Sequence, residues 1–533
     1  MIRASLALAS LLTLGGLALG QDYYAQTSVI VPSSGGPVAF TPLHIYYMSA
    51  TGNDSNNGTS PGTAWATPNH SVVCGDVIVA AAGDYSATNF SNWGTVSTCP
   101  STSGGLAASP GGIYFAVLLC GGADLEACHS NGQIWNMDVS NWAVEGWKVS
   151  NPGHGSANRA FQANGCGAVI HHFAYVNDIT FNTASGYHTD NCGQLVGFGV
   201  DYFAVIGSIG QNAAQNTDFP EAAIDHVGTG LFDSGAGAHA IFYGDFTWNN
   251  TAATNTPFDT EGMMFDTWNN TAYPVLGVMA NNVGWTSWRF CINLITGTYT
   301  GTTAMPTMKL YNNTCYKNDQ NTNGDNDSAE IDLNIGNPWP VTINNNIAQA
   351  TTATSPGGGG QIGAFISAGP AGASHGGNSG SSINGNIFTG VTGANGQNNY
   401  VVWDGNTQQT GSPPNILGVD PGFTNTTDLI SNRNGAPTCT GFVNVTQCMG
   451  YNPATQTLTT PSVISDLTPN PNCGGVTGQC VGKGYQLPST TCLTSGTGIV
   501  ADYPAWLKGI VYLHWNGSSL TENADLVTRP CGM

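Results

Sequence analysis

Small or amide residues flanked by β-branched and aromatic ones recur from Trp135 to Phe388, centred on Gly146, Asn177, Gly207, Gly244, Asn281, Asn312, Asn345 and Gly385. Successive centres lie 31, 30, 37, 37, 31, 33 and 40 residues apart. A unit of this length, repeated with slack in its spacing, marks a solenoid in which each copy covers the apolar face of the next.

Apolar and polar residues alternate in segments such as HFAYVNDITFN, IFYGDFTWNN and VTINNNIAQA, and no sustained helical period runs through them. Stacked β-coils satisfy this pattern and helical repeats do not, so the expected fold is an all-β parallel β-helix. Each coil would lay its strands on those below, and aligned amides could hydrogen-bond along the stack. Asn281, Asn312 and Asn345 occupy equivalent places for such a ladder. The slack is then a loop of changing length, and long loops on one side are where a solenoid builds a site.

Residues 1–20 carry one positive charge, Arg3, then an apolar run from Ala4 to Leu19, with Ala18 and Gly20 small before a cut ahead of Gln21. This reads as a secretory signal peptide, too short and glycine-interrupted to span a bilayer. No later segment is apolar enough to span, so the mature chain is expected outside the cytoplasm, secreted or periplasmic, as a monomer without membrane contact. The 14 cysteines are even in number and lack metal-binding CxxC spacing. Pairing sequence neighbours gives Cys74–Cys99, Cys120–Cys128, Cys166–Cys192, Cys291–Cys315, Cys439–Cys448, Cys473–Cys480 and Cys492–Cys531. The 166–192 and 291–315 bridges span about one coil and would staple neighbours.

Only 8% of residues are charged, against roughly 25% in ordinary domains, so surface polarity comes from amides and hydroxyls, which pair well with sugars. A net charge of −21 with only 10 Lys and Arg excludes nucleic acid as a partner. The same charge repels an acidic polysaccharide unless divalent cations bridge the carboxylates of protein and substrate, which makes calcium a requirement of that reading. Sequons such as Asn57-Gly-Thr, Asn249-Asn-Thr, Asn312-Asn-Thr and Asn516-Gly-Ser are numerous, as chance supplies in a chain rich in Asn and Thr.

The segment from Tyr46 to Thr67 places Gly52, Asp54, Asn56, Gly58 and Thr59 in a turn, and the segment from Cys74 to Tyr85 carries Gly75, Asp76, Gly83 and Tyr85. This opening resembles that of the secreted right-handed parallel β-helix proteins of the pectate-lyase-like superfamily. The resemblance implies a right-handed β-helix, and it is shared by lyases, hydrolases and epimerases alike. The chain divides into a signal peptide (1–20), the β-helix domain (21–410) and a disulfide-rich C-terminal capping region (411–533) expected over the open end of the stack. Residues 352–382 are rich in Gly, Ser and Ala and read as a surface loop.

The densest carboxylate group is PFDTEGMMFDTW, with Asp259, Glu261 and Asp266. On an extended strand Asp259 and Glu261 point to one face, and Asp201, about two coils earlier, could join them in a groove. Such oxygen-only ligands suit calcium. Downstream lies NNVGWTSWRFCIN, with Arg289. This order resembles the family 9 polysaccharide lyases, in which an acidic calcium site precedes a catalytic lysine; Arg289 stands in the lysine's place here. The resemblance implies β-elimination from a uronate-containing glycan, with a cation neutralising the uronate and a basic side chain taking the α-proton. Arginine stays protonated under almost all conditions, so Lys309 is the alternative base. Trp268, Trp285, Trp288 and His188 are candidate sugar-binding residues.

Two other classes fit the residues. A glycoside hydrolase needs only two suitably spaced carboxylates, drawn from Asp259, Glu261, Asp266 and Asp201, and no metal. A non-catalytic surface or matrix protein would bind glycans through its aromatic and amide residues. The adjacent His171 and His172 should face opposite ways on a strand and not chelate together. No nucleotide loop, GxSxG elbow or zinc signature occurs.

Overall fold

In the computed structural model the described residues are 37–39, 42–99, 114–152, 158–166, 169–190, 199–211, 222–227, 238–248, 250, 261–266, 276–280, 282–287, 289–295, 307–311, 313–318, 329–335, 341–344, 346–350, 362–368, 382–390, 401–404, 415–418, 439–440, 445–448, 451–452, 457–458, 505–507, 513–515, 517–518 and 520–523. Three parallel sheets run the length of a right-handed parallel β-helix. The first has 11 strands, from Ile45–Met48 to Ser382–Asn384; the second has 11, from Gly83–Asp84 to Ile416–Leu417; the third has nine, from Trp135–Met137 to Val401–Asp404.

One coil shows the rule. Val169–Val176 belongs to the first sheet, Ile179–Phe181 to the second and Tyr187–Asp190 to the third, and Gly199–Ile206 then restarts the first sheet on top of Val169–Val176. Period-2 alternation sends every second side chain inward. Val144, Tyr175, Val205, Phe242, Met279, Leu310, Ile343 and Ile383 thus form one buried column of the first sheet.

From Trp142–Glu145 to Ser382–Asn384 the corner between the first and second sheets takes two residues, and the repeat detected in the sequence is this corner. Its first residue has a left-handed backbone, with φ of 81° at Gly146, 58° at Asn177, 55° at Gly207, 68° at Gly244 and 64° at Gly385. Glycine and asparagine tolerate that region best. Its second residue turns inward and builds the ladder, so the ladder is carried by Asn282, Asn313, Asn346, Asn386 and Asn415. The expected residues Asn281, Asn312 and Asn345 lie outside the described residues. Asn282 Nδ2 donates to Asn313 Oδ1 at 3.0 Å, Asn313 to Asn346 at 2.9 Å, Asn346 to Asn386 at 3.0 Å and Asn386 to Asn415 at 2.8 Å. Each of these amides also donates to a carbonyl of the coil below, as Asn282 does to Phe242 O and Asn313 to Met279 O. Replacing Asn313 with Ala strips partners from the buried Asn282 amide and the Met279 carbonyl. At about 1–3 kcal/mol per orphaned group, a denaturant titration should show a loss of roughly 2–5 kcal/mol.

The glycine-rich opening forms the N-terminal cap. Tyr47 N donates to Gly58 O and Trp65 N to Tyr47 O, so this turn covers the edge of the first strand. Trp65 lies between Tyr46 and His70, stacked at 4.6 and 4.0 Å. A side chain at Gly58, where φ is 69°, would strike the Trp65 ring. Asp54 accepts from Ala66 N, Thr67 N, Thr67 Oγ1 and His70 Nε2, and these bonds hold its carboxyl below the usual range although partial burial opposes them.

Within 411–533, Asn415 and Ile416–Leu417 still belong to the stack, and the described segments around Cys439–Cys448 and Trp506–Asn523 lie along its flank. Cys439 and Val445 join the apolar outer face of the second sheet with Ile179, Ile209 and Phe246, and Cys439 is bonded to Cys448. Trp506, Leu507 and Leu520 cover the outer face of the first sheet, and Leu520–Asn523 pairs with Pro37–Ala39 and Leu513–Trp515. The reason is apolar surface: outward residues such as Ala174, Ala204, Ile241 and Val278 need cover as much as the interior does. The Cys74–Cys99, Cys120–Cys128 and Cys291–Cys315 bridges form as the sequence implied, and the last joins neighbouring coils. Cys166 is also disulfide-bonded.

Candidate functional site

With the outer faces of the first two sheets apolar and covered, the third sheet differs. Its inward positions are Trp135, Phe161, Tyr187, Ile224, Met263, Ile292 and Ile331. One residue on, the outward row reads Asn136, Gln162, Asp225, Met264, Asn293 and Asp332, with the backbone of His188 in register between Gln162 and Asp225. Amides and carboxylates dominate it. The connections entering and leaving this sheet vary in length, running from Gln211 to Ile224, from Trp248 to Met263 and from Asp266 to Leu276. Gln162, Asp225, Asn293 and Asp332 are buried.

Two arginines stand at the entry edge of the same sheet. Arg159 Nη1 donates to Gln162 Oε1 at 3.2 Å. Arg289 Nη1 lies 3.7 Å from Glu261 Oε1, and Asn293 Nδ2 donates to that oxygen at 3.2 Å. Glu261 is fully buried, while the Arg289 side chain is 16% exposed and lies 4.7 Å from the Phe290 ring centre. A desolvated carboxylate must be paired to stay charged, and Arg289 with Asn293 supplies that pairing. Four strand steps separate the coils of the two arginines, about 19 Å along the stack.

The expected site residues are distributed as follows. Glu261 and Arg289 meet. Lys309 lies on the outward side of the first sheet, in register with Val278 and Thr342, and does not join them. Trp285 is on the second sheet, fully buried and stacked on Trp248 at 4.8 Å, so it packs against protein and offers no open face to a sugar. His188 sits in the third-sheet row between Gln162 and Asp225. Asp259, Trp268 and Trp288 lie outside the described residues.

The calcium set does not assemble from its described members. Glu261 and Asp266 are five residues apart along one extended segment, roughly 16 Å. Asp201 is buried in the first sheet, with Oδ1 at 2.6 Å from His239 Nδ1 and accepting from Tyr202 N. Among the described residues no three His, Cys, Asp or Glu side chains group closely enough to hold a metal. Around Asp201 lies a column of stacked rings, Tyr114, His172, Tyr202 and His239, closed by the edge of Trp506. His172 has φ of 60°, and this kink in the strand swings its ring back, bringing its Nδ1 to 2.9 Å from that of His171. The two do not face opposite ways, because strand alternation fails at a left-handed residue. Burial holds His172 well below the usual histidine range and pushes His226, whose Nε2 donates to Val200 O, down to about 4.

Asp225, Asn293, Gln162 and Arg159 were missed in the sequence. For Gln162, Asp225 and Asn293 the signal was a polar residue following an apolar one in FQAN, IDHV and INLI, but only the register shows that these fall in one row.

The chain matches no family model and no curated protein. Among solved structures, a rhamnogalacturonan lyase aligns with a TM-score of 0.32 and 14% identity over 58% of this chain and 83% of its own. The pectate lyase Pel9A aligns with a TM-score of 0.32 and 15% identity over 74% of this chain and 86% of its own. The fold assignment rests on the strand register itself.

Proposed function

We propose that this chain is a secreted enzyme that cleaves an acidic polysaccharide by β-elimination on the outer face of the third sheet. The observation that carries this reading is the Glu261–Arg289–Asn293 group at the edge of the one sheet with an outward polar row. Two of the chain's 10 basic residues stand at that edge. They supply locally the positive charge that a polyanion needs on a protein of net charge −21.

In this reading Arg289 is not the base. A guanidinium beside a buried carboxylate keeps its proton, so its part is to hold the uronate carboxylate and to stabilise the enolate-like charge with the Asn293 amide. Glu261 takes the α-proton, the C–H electron pair becomes a C=C bond in the uronate, and the bond from its β-carbon to the glycosidic oxygen breaks, that oxygen leaving with the electron pair and taking a proton from water. No step passes through calcium.

A second reading, hydrolysis, is favoured by one observation. Asp225 and Asn293 flank Met264 in the outward row, two strand steps or about 10 Å apart, and the Glu261 carboxylate reaches Asn293. Asp225 and Glu261 are therefore candidates for an acid and base on opposite sides of a glycosidic bond.

Variants at the two basic candidates test the placement. Arg289→Ala should reduce release of unsaturated product by about 10²–10³-fold, the usual effect of removing one charge-stabilising donor. Lys309→Ala, on another sheet, should leave the rate within about twofold of wild type. Loss of activity in the Lys309 variant with retention in the Arg289 variant would move the site to the first sheet.

A further inference from the structure

We propose that Asn57 and Asn89 are N-glycosylation acceptors that place sugar on the N-terminal end of the stack. The inference is independent of what the third sheet does.

Asn57-Gly-Thr and Asn89-Phe-Ser are exposed at the Asn and at the hydroxyl residue. In each, the asparagine Oδ1 accepts from both the backbone N–H and the hydroxyl of the residue two places on: 3.1 and 2.9 Å from Thr59, and 2.9 and 2.6 Å from Ser91. The oxygen is thus turned into its own loop and Nδ2 faces solvent, with no acceptor among the described residues. A sugar attached there replaces one N–H hydrogen and breaks no bond of the fold. By contrast, the tripeptide beginning at Asn312 continues through Asn313 and Thr314, both fully buried. Thr314 stands in register with Val283 and Ile347 and is fully buried on the covered outer face of the second sheet, where a glycan has no room.

Two further sequons lie nearby and are set aside on physical grounds. Asn53 has the same geometry, with Ser55 as donor, but Asp54 within its tripeptide puts a negative charge beside an anionic sugar donor. Asn69 accepts no such pair of bonds from Ser71.

The chemistry needs a diphospholipid-linked oligosaccharide, present where a signal peptide directs a chain through a eukaryotic secretory compartment. Asn Nδ2 forms a bond to the anomeric carbon, the bond from that carbon to the diphosphate oxygen breaks, and the lipid diphosphate leaves with the electron pair. One amide proton is lost. Both acceptors lie in the segments that close the N-terminal end: Asn57 is in the turn that pairs with the first strand, and Phe90, next to Asn89, stacks on Trp135 at 3.7 Å. Sugar at this end would hinder a second stack from pairing there.

The test uses the full chain with its own leader, secreted from yeast, and digested with peptide N-glycosidase in heavy-oxygen water. Peptides carrying residues 57 and 89 should emerge mostly as heavy-oxygen aspartate. Asn57→Asp and Asn89→Asp keep the turn acceptor and cannot be glycosylated, so each should remove one glycan from the intact mass without shifting the melting midpoint. Unlabelled asparagine at both positions, in secreted protein with its disulfides formed, overturns the proposal.

Discussion

Glu261→Gln is expected to reduce glycan cleavage by about 10²–10⁴-fold, the range for removing a positioned general base. It should leave the protein folded. The replacement keeps an oxygen to accept from Asn293 Nδ2 and changes only the charge that faces Arg289. Initial rates and a melting curve on the same preparation check both halves. A variant that melts like wild type and retains full activity would remove Glu261 from the chemistry. Asn293→Ala removes the second donor to the developing charge and should lower the rate by less than Arg289→Ala does, with a glutamine at the same place partly restoring it.

The second large effect concerns stability. The ladder column continues toward the N-terminus through Asp245, Ser208 and Asp178 in place of asparagine. Asp178 Oδ1 accepts from Trp147 N, and Asp245 Oδ1 from Ser208 N, each at 2.8 Å. Their Oδ2 atoms are buried without a hydrogen-bond partner. By register, Oδ2 stands where the asparagines place Nδ2, toward the carbonyls of Val144 and Val205. An ionised carboxylate there meets acceptors only, and burial pushes both groups well above their ordinary value of 3.8, against the pull of backbone donors. The titratable neighbours are Tyr175 and Tyr187, themselves raised by burial.

A folded-state value above the unfolded one means that the native state holds protons the unfolded chain releases. This contribution is complete below pH 3.8 and is lost as pH rises through the folded value. Asp178→Asn and Asp245→Asn should therefore stabilise the protein at neutral pH, by about 1–3 kcal/mol each. Near pH 4 the gain should vanish. Urea midpoints across pH test this, and destabilisation at pH 7 would show that these carboxylates have a role an amide cannot fill.

The β-helix was legible because its corner imposes conditions at adjacent positions: a left-handed residue, then an inward one that is asparagine from Asn282 on. That produced a repeat strong enough to survive loops of changing length. The ladder was displaced by one residue for a local reason. Asn281–Asn282 and Asn312–Asn313 are pairs, and composition does not say which member takes the left-handed backbone and which turns inward. Scarcity of charge made Glu261 and Arg289 visible. Asp225 and Asn293 sit singly among apolar strand residues, so their convergence depends on register, which the irregular loops conceal. Trp285 and Lys309 show the converse: residue type fitted a sugar platform and a base respectively, but the sheet that carries each one places it elsewhere.

The most direct test of a third-sheet elimination site is the ultraviolet absorbance of unsaturated uronate over a panel of uronans, with wild type and Glu261→Gln in parallel. The account predicts a rise with wild type that the variant lacks, unchanged by chelator. No rise on any uronan, or an equal rise with the variant, contradicts it.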